Sequence, residues 1–465
     1  MRKLMDHQED ALEYLRGRSS GALFMEMRLG KTLTMIRWAQ EAWPGGLILV
    51  VAPLTVLGAW QEELDEEGEL WVDVEGDNVD AREANVLESA RVAERCGKRV
   101  WFLIGYDRLR ATFRLTVIPW TAVILDESTR IRNPQAMITR VCNGGTHNRV
   151  RYVGFDHVPH RYVLSGLPAP ESALDFYEQM RFVKPNFLGV GNFFEFRAKL
   201  WQPGQMPGEW NPQRGALSRV KSAVAKHAHV VRRADVGITC ERVYETRRIT
   251  MPPALRRASK TLEEDFAWGD RSTRWRIVVQ TWLAELAGGF SPEGKFMSAH
   301  KLKELVNLLL GELRREQTVV WFRYIPEMER AAEVLAKAGV SFKRIHGGVP
   351  AVNRTGILRE FRAGRFQALL IQIQCGRYGL DCSSADTAIY YSNSYSWEDR
   401  AQSEDRIFHP RKTVPLLYVD LVSRNSADED VVRALRGKRV TAASFMMFVR
   451  QFYRARCGHE AEDGR

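Results

Sequence analysis

The 465-residue chain is 45% hydrophobic and 27% charged, with a formal net charge of +11; this describes a globular protein long enough for two or three domains, each with its own core. No apolar run approaches the length of a membrane span, and the opening "MRKLMDHQEDALEYL" is too charged for a signal peptide. The six cysteines (Cys96, Cys142, Cys240, Cys375, Cys382 and Cys457) show no C-x-x-C spacing, which argues against a zinc site or a disulfide framework and leads us to expect a cytoplasmic protein, in the host cytoplasm if viral.

In chain order, "GALFM" (21–25) predicts a strand, "EMRLGKT" (26–32) a turn, and "TLTMIRWAQEA" (32–42) a helix. Apolar, β-branched runs follow at 46–53 (GLILVVAP), 100–107 (VWFLIGYD), 121–128 (TAVILDES) and 161–166 (RYVLSG). A second series occupies 318–324, 342–348, 368–374, 387–393 and 415–422. Runs apolar throughout suit strands buried on both faces of a parallel sheet, and strand–helix alternation in two blocks predicts two α/β domains. Residues 171–300 read mostly as helix and loop, with "QPGQMPGEWNPQRG" (202–215) as a Pro/Gly loop.

Charge is unevenly spread. Residues 62–80 hold ten acidic and no basic side chains, whereas residues 181–280 hold 19 Lys and Arg against nine Asp and Glu. Aromatics interleave in the basic block (Phe193, Phe194, Phe196, Trp201, Trp210, Trp268, Trp275). A nucleic-acid footprint has this composition, and so has a solvated helical face above core aromatics.

Gly30-Lys31-Thr32 is the end of a phosphate-binding loop, although Met25 stands where the usual pattern has glycine. Strand, turn and helix N-terminus are the context that motif needs. Backbone N–H groups there face phosphates, Lys31 reaches the β/γ oxygens, and the Thr32 hydroxyl can ligate Mg²⁺. Met25 and Arg28 are tolerable because backbone atoms, including those of Leu29, make the cradle. An ATPase also needs an acidic pair at the end of a buried strand, and "AVILDEST" supplies Asp126 and Glu127. Asp126 would hold Mg²⁺ through water, and Glu127 would orient and deprotonate the attacking water.

Taken in order, the segments resemble the Swi/Snf-type DNA translocases of helicase superfamily two. "LMDHQEDALEYL" (4–15) is similar to the adenine-recognition segment, with Gln8; "EMRLGKT" to motif I; "VVAPLTVLGAWQEEL" (50–64) to motif Ia; and "FLIGYDRL" (102–109) to motif Ib. "ILDESTRIRNP" (124–134) resembles the Asp-Glu segment, and "RYVLSGLPAPESALDFYEQMRFV" (161–183) motif III with its helix. "FLGVGNFFEFRAKLW" (187–201) and "VVRRADV" (230–236) resemble segments that plain helicases lack. In the second half, "TVVWFRYIPEMERAAEVL" (318–335) resembles motif IV, and "RIHGGVPAVNRTGILREF" (344–361) the segment after it. "CGRYGLDCSSADTAIYYSNSYSW" (375–397) resembles motif V and "DRAQSEDRIFHPRK" (399–412) motif VI.

The resemblance implies two RecA-like parallel-sheet domains in tandem with a helical insertion and linker between them, with ATP in their cleft and DNA across their tops. The expected boundaries are 1–235 for the first domain (insertion about 171–235), 236–297 for a mostly helical linker, 298–440 for the second domain and 441–465 for a C-terminal tail. Ser165, Gly166 and Gln402 would couple the γ-phosphate to domain movement. Pro53, Thr55 and Tyr106, with Phe322, Ser383 and Ser384, are the expected DNA-contacting or DNA-positioning residues, Phe322 also reading as a core residue.

Three positions depart from the family pattern. Ser128-Thr129 replace Ala-His, Arg28 replaces glycine, and in motif VI Arg406 matches while His409 replaces the second arginine; Arg411 is the alternative cation. The expected function is an ATP- and Mg²⁺-dependent motor on double-stranded DNA, with single-stranded DNA or RNA as other polymers and no membrane. A nucleotide-gated DNA clamp with little turnover, or a strand-separating helicase, is the alternative. The motor fills most of the chain, as in compact bacterial, phage and mobile-element versions.

Overall fold

The computed structural model describes residues 2–204, 210–273, 275–377 and 380–462. Part of the 202–215 loop, and Tyr378 and Gly379 of the motif V segment, lie outside the described residues. The chain divides into two compact units, Met1–Ile238 with Val440–Arg465, and Thr239–Arg439.

The first unit is built on a seven-stranded parallel sheet. In chain order its strands are β1 (Ser20–Met25), β2 (Gly46–Ala52), β3 (Leu70–Asp73), β4 (Arg99–Gly105), β5 (Ala122–Leu125), His160–Ser165 and Ala228–Val231. Across the sheet the order is Ala228–Val231, β1, His160–Ser165, β5, β2, β4, β3. Successive side chains point to opposite faces of a strand, and here both faces are covered. Phe24, Val51, Phe102, Leu125 and Val163 enter one core cluster. Leu23, Met25, Val50, Leu103, Ile124 and Leu164 enter the other. That is why these strands read as continuous apolar runs. Helices α1 (Asp6–Leu15), α2 (Lys31–Ala42), α3 (Leu54–Glu66), α4 (Val79–Cys96) and α5 (Tyr106–Ala111) connect or flank the first strands.

The second unit carries a six-stranded parallel sheet in the order Arg242–Ile249, Leu416–Ser423, Thr387–Tyr390, Thr318–Phe322, Ala368–Gln372, Phe342–Ile345. The structure differs from three of the expected segments. The stretch 236–297 is not only a helical linker: Arg242–Ile249 pairs along its whole length with Leu416–Ser423, so the second unit begins at Thr239. That segment, "RVYETRRI", is a mostly half-buried edge strand in which charged and apolar residues mix, and it lacks an apolar run. Within the expected 441–465 tail, residues 441–462 continue the helix Ala427–Glu462, and residues 463–465 lie outside the described residues. The expected helical insertion at 171–235 also ends in a strand, Ala228–Val231. No helix among the described residues is long and apolar enough to cross a membrane.

Candidate nucleotide site and its neighbours

Parallel sheets place ligands outside the carboxyl ends of their strands, where the chain leaves the sheet. In the first unit the registers bring Met25, Ser165, Leu125 and Val51 to that one edge. The phosphate-loop sequence leaves β1 there. Arg28 (φ +65) and Gly30 (φ +74) are both left-handed, and Gly30 is the residue before α2. A Cβ on Gly30 would sit 2.2 Å from Gln8 Nε2, so both its conformation and its surroundings require glycine. Gln8 is fixed at both ends of its amide: it donates to the Gly30 carbonyl (3.3 Å) and accepts from Met5 N (2.9 Å). His7 Nε2 lies 3.1 Å from the Leu29 carbonyl. Gln8 thus stands against the loop, with Leu29 buried and Arg28 exposed.

The first turn of α2 has no side-chain cap, so its N–H groups remain for a ligand. Lys31 Nζ donates to the Met25 carbonyl at 2.9 Å, and half-buried Thr32 follows it. Asp126 is 3% exposed. Its Oδ1 accepts from Glu127 N (2.8 Å) and its Oδ2 from Trp60 Nε1 (2.9 Å). Burial pushes the Asp126 carboxyl above its ordinary range, against the opposing pull of the Lys31 charge and these two bonds. Glu127 is half-buried and left-handed (φ +49), a conformation that costs a non-glycine residue on the order of 1–3 kcal/mol.

Side-chain bonds tie the loops at this edge together. Ser128 Oγ donates to Gln179 Oε1 (2.7 Å), and Gln179 Nε2 donates to the Pro168 carbonyl (2.6 Å). The serine that departs from the family pattern therefore links the Asp126-Glu127 turn to the Ser165-Gly166 loop, a bond alanine could not make. Ser165 Oγ accepts from Leu167 N (3.1 Å), and a Cβ on Gly166 would lie 3.2 Å from Met27 N. Glu26 accepts from Arg233 at N (2.9 Å) and Nε (3.0 Å), so the "VVRRADV" exit holds the phosphate loop from its other side.

The expected nucleic-acid residues divide. Pro53 precedes α3, with Leu54 exposed and Thr55 half-buried. Tyr106 is buried, with its hydroxyl donating to the Asp126 backbone carbonyl (2.8 Å). Phe322 is fully buried, its ring 5.1 Å from that of Tyr391: a core residue. Ser384 is exposed, and Ser383 N donates to Asp381 Oδ1 (3.2 Å). In the basic block, Phe196 and Trp201 stack into the core while Phe194 and Trp275 are exposed.

The motif VI residues belong to the second unit. Gln402 is buried on the helix Trp397–Ile407, and half-buried Arg406 donates through Nε to the Gly376 carbonyl (2.7 Å). His409 is half-buried beyond that helix, its Nδ1 accepting from Arg411 N (3.2 Å), and Arg411 is exposed. Sequence reasoning missed Trp60, Glu26 and Gln179, whose partners lie 66, 207 and 51 residues away.

The residues fit a magnesium nucleotide. Among the described residues no group of three or more His, Cys, Asp or Glu could hold a metal by itself. Thr32 and Asp126 suit Mg²⁺, which prefers one or two protein ligands with phosphate oxygens and water.

An uncapped helix behind a left-handed glycine, one lysine and a buried acidic strand end define a phosphate-loop protein with two parallel α/β units. Comparison with known proteins makes the class narrower. Residues 7–233 match the SNF2-related domain and residues 300–410 the helicase conserved C-terminal domain. The chain belongs to the SNF2-related family of helicase superfamily two. It is 23% identical over 450 residues to the SWI/SNF-related matrix-associated actin-dependent regulator of chromatin subfamily A-like protein 1 of Xenopus tropicalis, covering 92% of this chain and 43% of that protein. Against the DNA excision repair protein CSB of Oryza sativa subsp. japonica it is 23% identical over 490 residues, covering 92% and 40%. A solved Sulfolobus solfataricus SWI2/SNF2 ATPase core in complex with dsDNA aligns over 96% of this chain and 95% of its own, with 18% identity and a TM-score of 0.43. The chain spans less than half the length of these curated relatives.

Proposed function

We propose that the chain is a DNA-dependent ATPase that converts ATP hydrolysis into movement along double-stranded DNA. The observation that carries this reading is the convergence of Lys31, Asp126, Glu127 and Ser165 at the carboxyl ends of neighbouring parallel strands of one sheet. Family membership, and relatives named for DNA repair and DNA binding, support DNA as the polymer.

In this reading Gln8, Arg28, Leu29 and Gly30 border the nucleotide and Lys31 neutralises its terminal phosphates. Bound Mg²⁺ supplies charge neutralisation on the phosphate oxygens. Thr32 and Asp126 hold that ion, and Glu127 takes the proton of the attacking water. Ser165, Gly166 and Gln402 couple the nucleotide state to movement. Arg406 supplies one cation from the second unit, and His409 or Arg411 a second. Pro53, Thr55, Ser383 and Ser384 face the DNA backbone.

A second reading, a nucleotide-gated clamp with little turnover, is favoured by His409, whose ring is turned to the Arg411 backbone. ATP hydrolysis measured without nucleic acid and with single-stranded DNA, duplex DNA and RNA separates the two. The motor predicts the largest stimulation by duplex DNA, weakening with salt because phosphate contacts release counterions. Equal rates in all four mixtures favour the clamp.

A further inference from the structure

Helix α3 begins at the surface beside Pro53 and Thr55, and six residues after its first residue it carries Trp60, fully buried against Trp101 with ring centroids 5.9 Å apart. At 1.5 Å rise per residue, Thr55 and Trp60 are about 7.5 Å apart along a rigid axis. Helix α5 begins at Tyr106. The two helix starts touch: a Cβ on Gly105 would come 2.7 Å from Leu54 Cδ2, and Ala52 and Gly105 are register partners on β2 and β4. Each helix therefore begins at one face of the sheet edge and sends one aromatic donor inward. Both donors reach the same residue. The Trp60 indole holds Asp126 Oδ2 at 2.9 Å and the Tyr106 hydroxyl holds the Asp126 carbonyl at 2.8 Å. With Oδ1 taken by Glu127 N, any shift of α3 or α5 turns the carboxylate or stretches one of these bonds.

We propose that Trp60 and Tyr106 are positioning residues through which duplex DNA lying on the starts of α3 and α5 sets the orientation of Asp126. The inference rests on the proposed function, and it assigns the stimulation by DNA to two hydrogen bonds within the first unit. A buried Phe would need only an apolar pocket, whereas a buried Trp or Tyr must also satisfy its polar hydrogen. These two spend their single polar hydrogens on one buried acidic residue, and they come from the two segments that lead to the nucleic-acid face.

Trp60→Phe keeps a ring and removes the indole N–H; Tyr106→Phe removes one hydroxyl and is the milder variant should the first fail to fold. Four quantities are compared with wild type: duplex affinity by fluorescence anisotropy, Mn²⁺-ADP affinity by calorimetry with and without duplex, turnover with and without duplex, and amide hydrogen exchange over residues 122–127. The expected result is unchanged duplex affinity and unchanged KM for ATP, with duplex-stimulated kcat lower by about 10- to 100-fold for Trp60→Phe, which removes a partner of the Asp126 carboxylate, a smaller fall for Tyr106→Phe, which removes a partner of the Asp126 main chain, and a lesser fall in basal turnover in both. DNA-induced changes in Mn²⁺-ADP affinity and in exchange over 122–127, present in wild type, should vanish. Equal loss of basal and stimulated turnover, or a DNA response of residues 122–127 that survives in both variants, overturns the relay. A wild type that binds duplex but is not stimulated by it overturns the proposed function instead.

Discussion

At the phosphate loop, single residues carry separable tasks. In the proposed function Lys31 contributes charge to the nucleotide, whereas Glu127 contributes a base and little binding. Lys31→Ala is expected to weaken ATP binding by about 10- to 100-fold or more, the cost of hydrogen bonds to a charged group. Glu127→Gln is expected to bind ATP as wild type and to turn over about 10²- to 10⁴-fold more slowly. Calorimetric titration with ATP and single-turnover hydrolysis check both; equal loss of binding in the two variants contradicts the assignment. His409 is the other informative residue. Its imidazole lacks the planar five-donor fork of an arginine, and a trans-acting arginine is worth about 10³ to 10⁵ in turnover in related chemistry. His409→Arg is therefore expected to raise DNA-stimulated kcat with little change in KM. A rate that stays at the wild-type value places the second cation elsewhere, with Arg411→Ala as the variant to examine next.

Among elements, β3, β4 and the end of α2 are joined by one arginine. Arg99 donates to Glu69 through Nε (2.8 Å) and Nη2 (2.5 Å) and to the Ala39 carbonyl (3.0 Å), so it closes the C-terminus of α2 while pairing an acid from the 62–80 run. Burial raises the Glu69 carboxyl, but the bonds from Arg99, Gln40 and Trp101 outweigh it and hold it below its ordinary value of 4.5. A depressed carboxyl stabilises the fold above its unfolded value, and that stability fades as pH falls from 4.5 through the folded value. Arg99→Met should cost about 1.5–3 kcal/mol near neutrality, since it removes the charged partner and leaves the Glu69 carboxylate only its bonds from Gln40 and Trp101. Urea titrations of the two proteins should converge only as pH falls below the depressed folded value of Glu69, where the carboxyl is protonated in both. A gap that does not narrow in acid would contradict the role given to the pair.

What the sequence made legible, and what it did not, follows the same division by range. Strands covered on both faces announce themselves as apolar runs, and Gly30-Lys31-Thr32 and Asp126-Glu127 announce the chemistry because each is local. The edge strand Arg242–Ile249 is half-buried and charged, so its pairing with Leu416–Ser423 had no local signal. Tyr106 reads as a contact candidate from motif position, whereas Phe322 already reads as core from its strand context; only tertiary packing shows the Tyr106 hydroxyl bonded to the Asp126 carbonyl and Phe322 stacked on Tyr391. The Ser128–Gln179 bond likewise joins residues no short pattern relates.

For the whole molecule, the first unit carries the phosphate loop, the acidic pair and the linking serine, and the second carries Arg406, His409 and Arg411. The longer relatives have segments beyond the part this chain covers, so the comparison bears on that part alone. The central claim is movement along duplex DNA, and strand displacement from a DNA triplex reads movement without requiring the duplex to open. Wild type with ATP is expected to release the third strand from a duplex tail while the two duplex strands stay paired, and Glu127→Gln is expected to release none. Stimulated ATP hydrolysis with the triplex left intact, or release of the third strand only together with separation of the duplex, would contradict it.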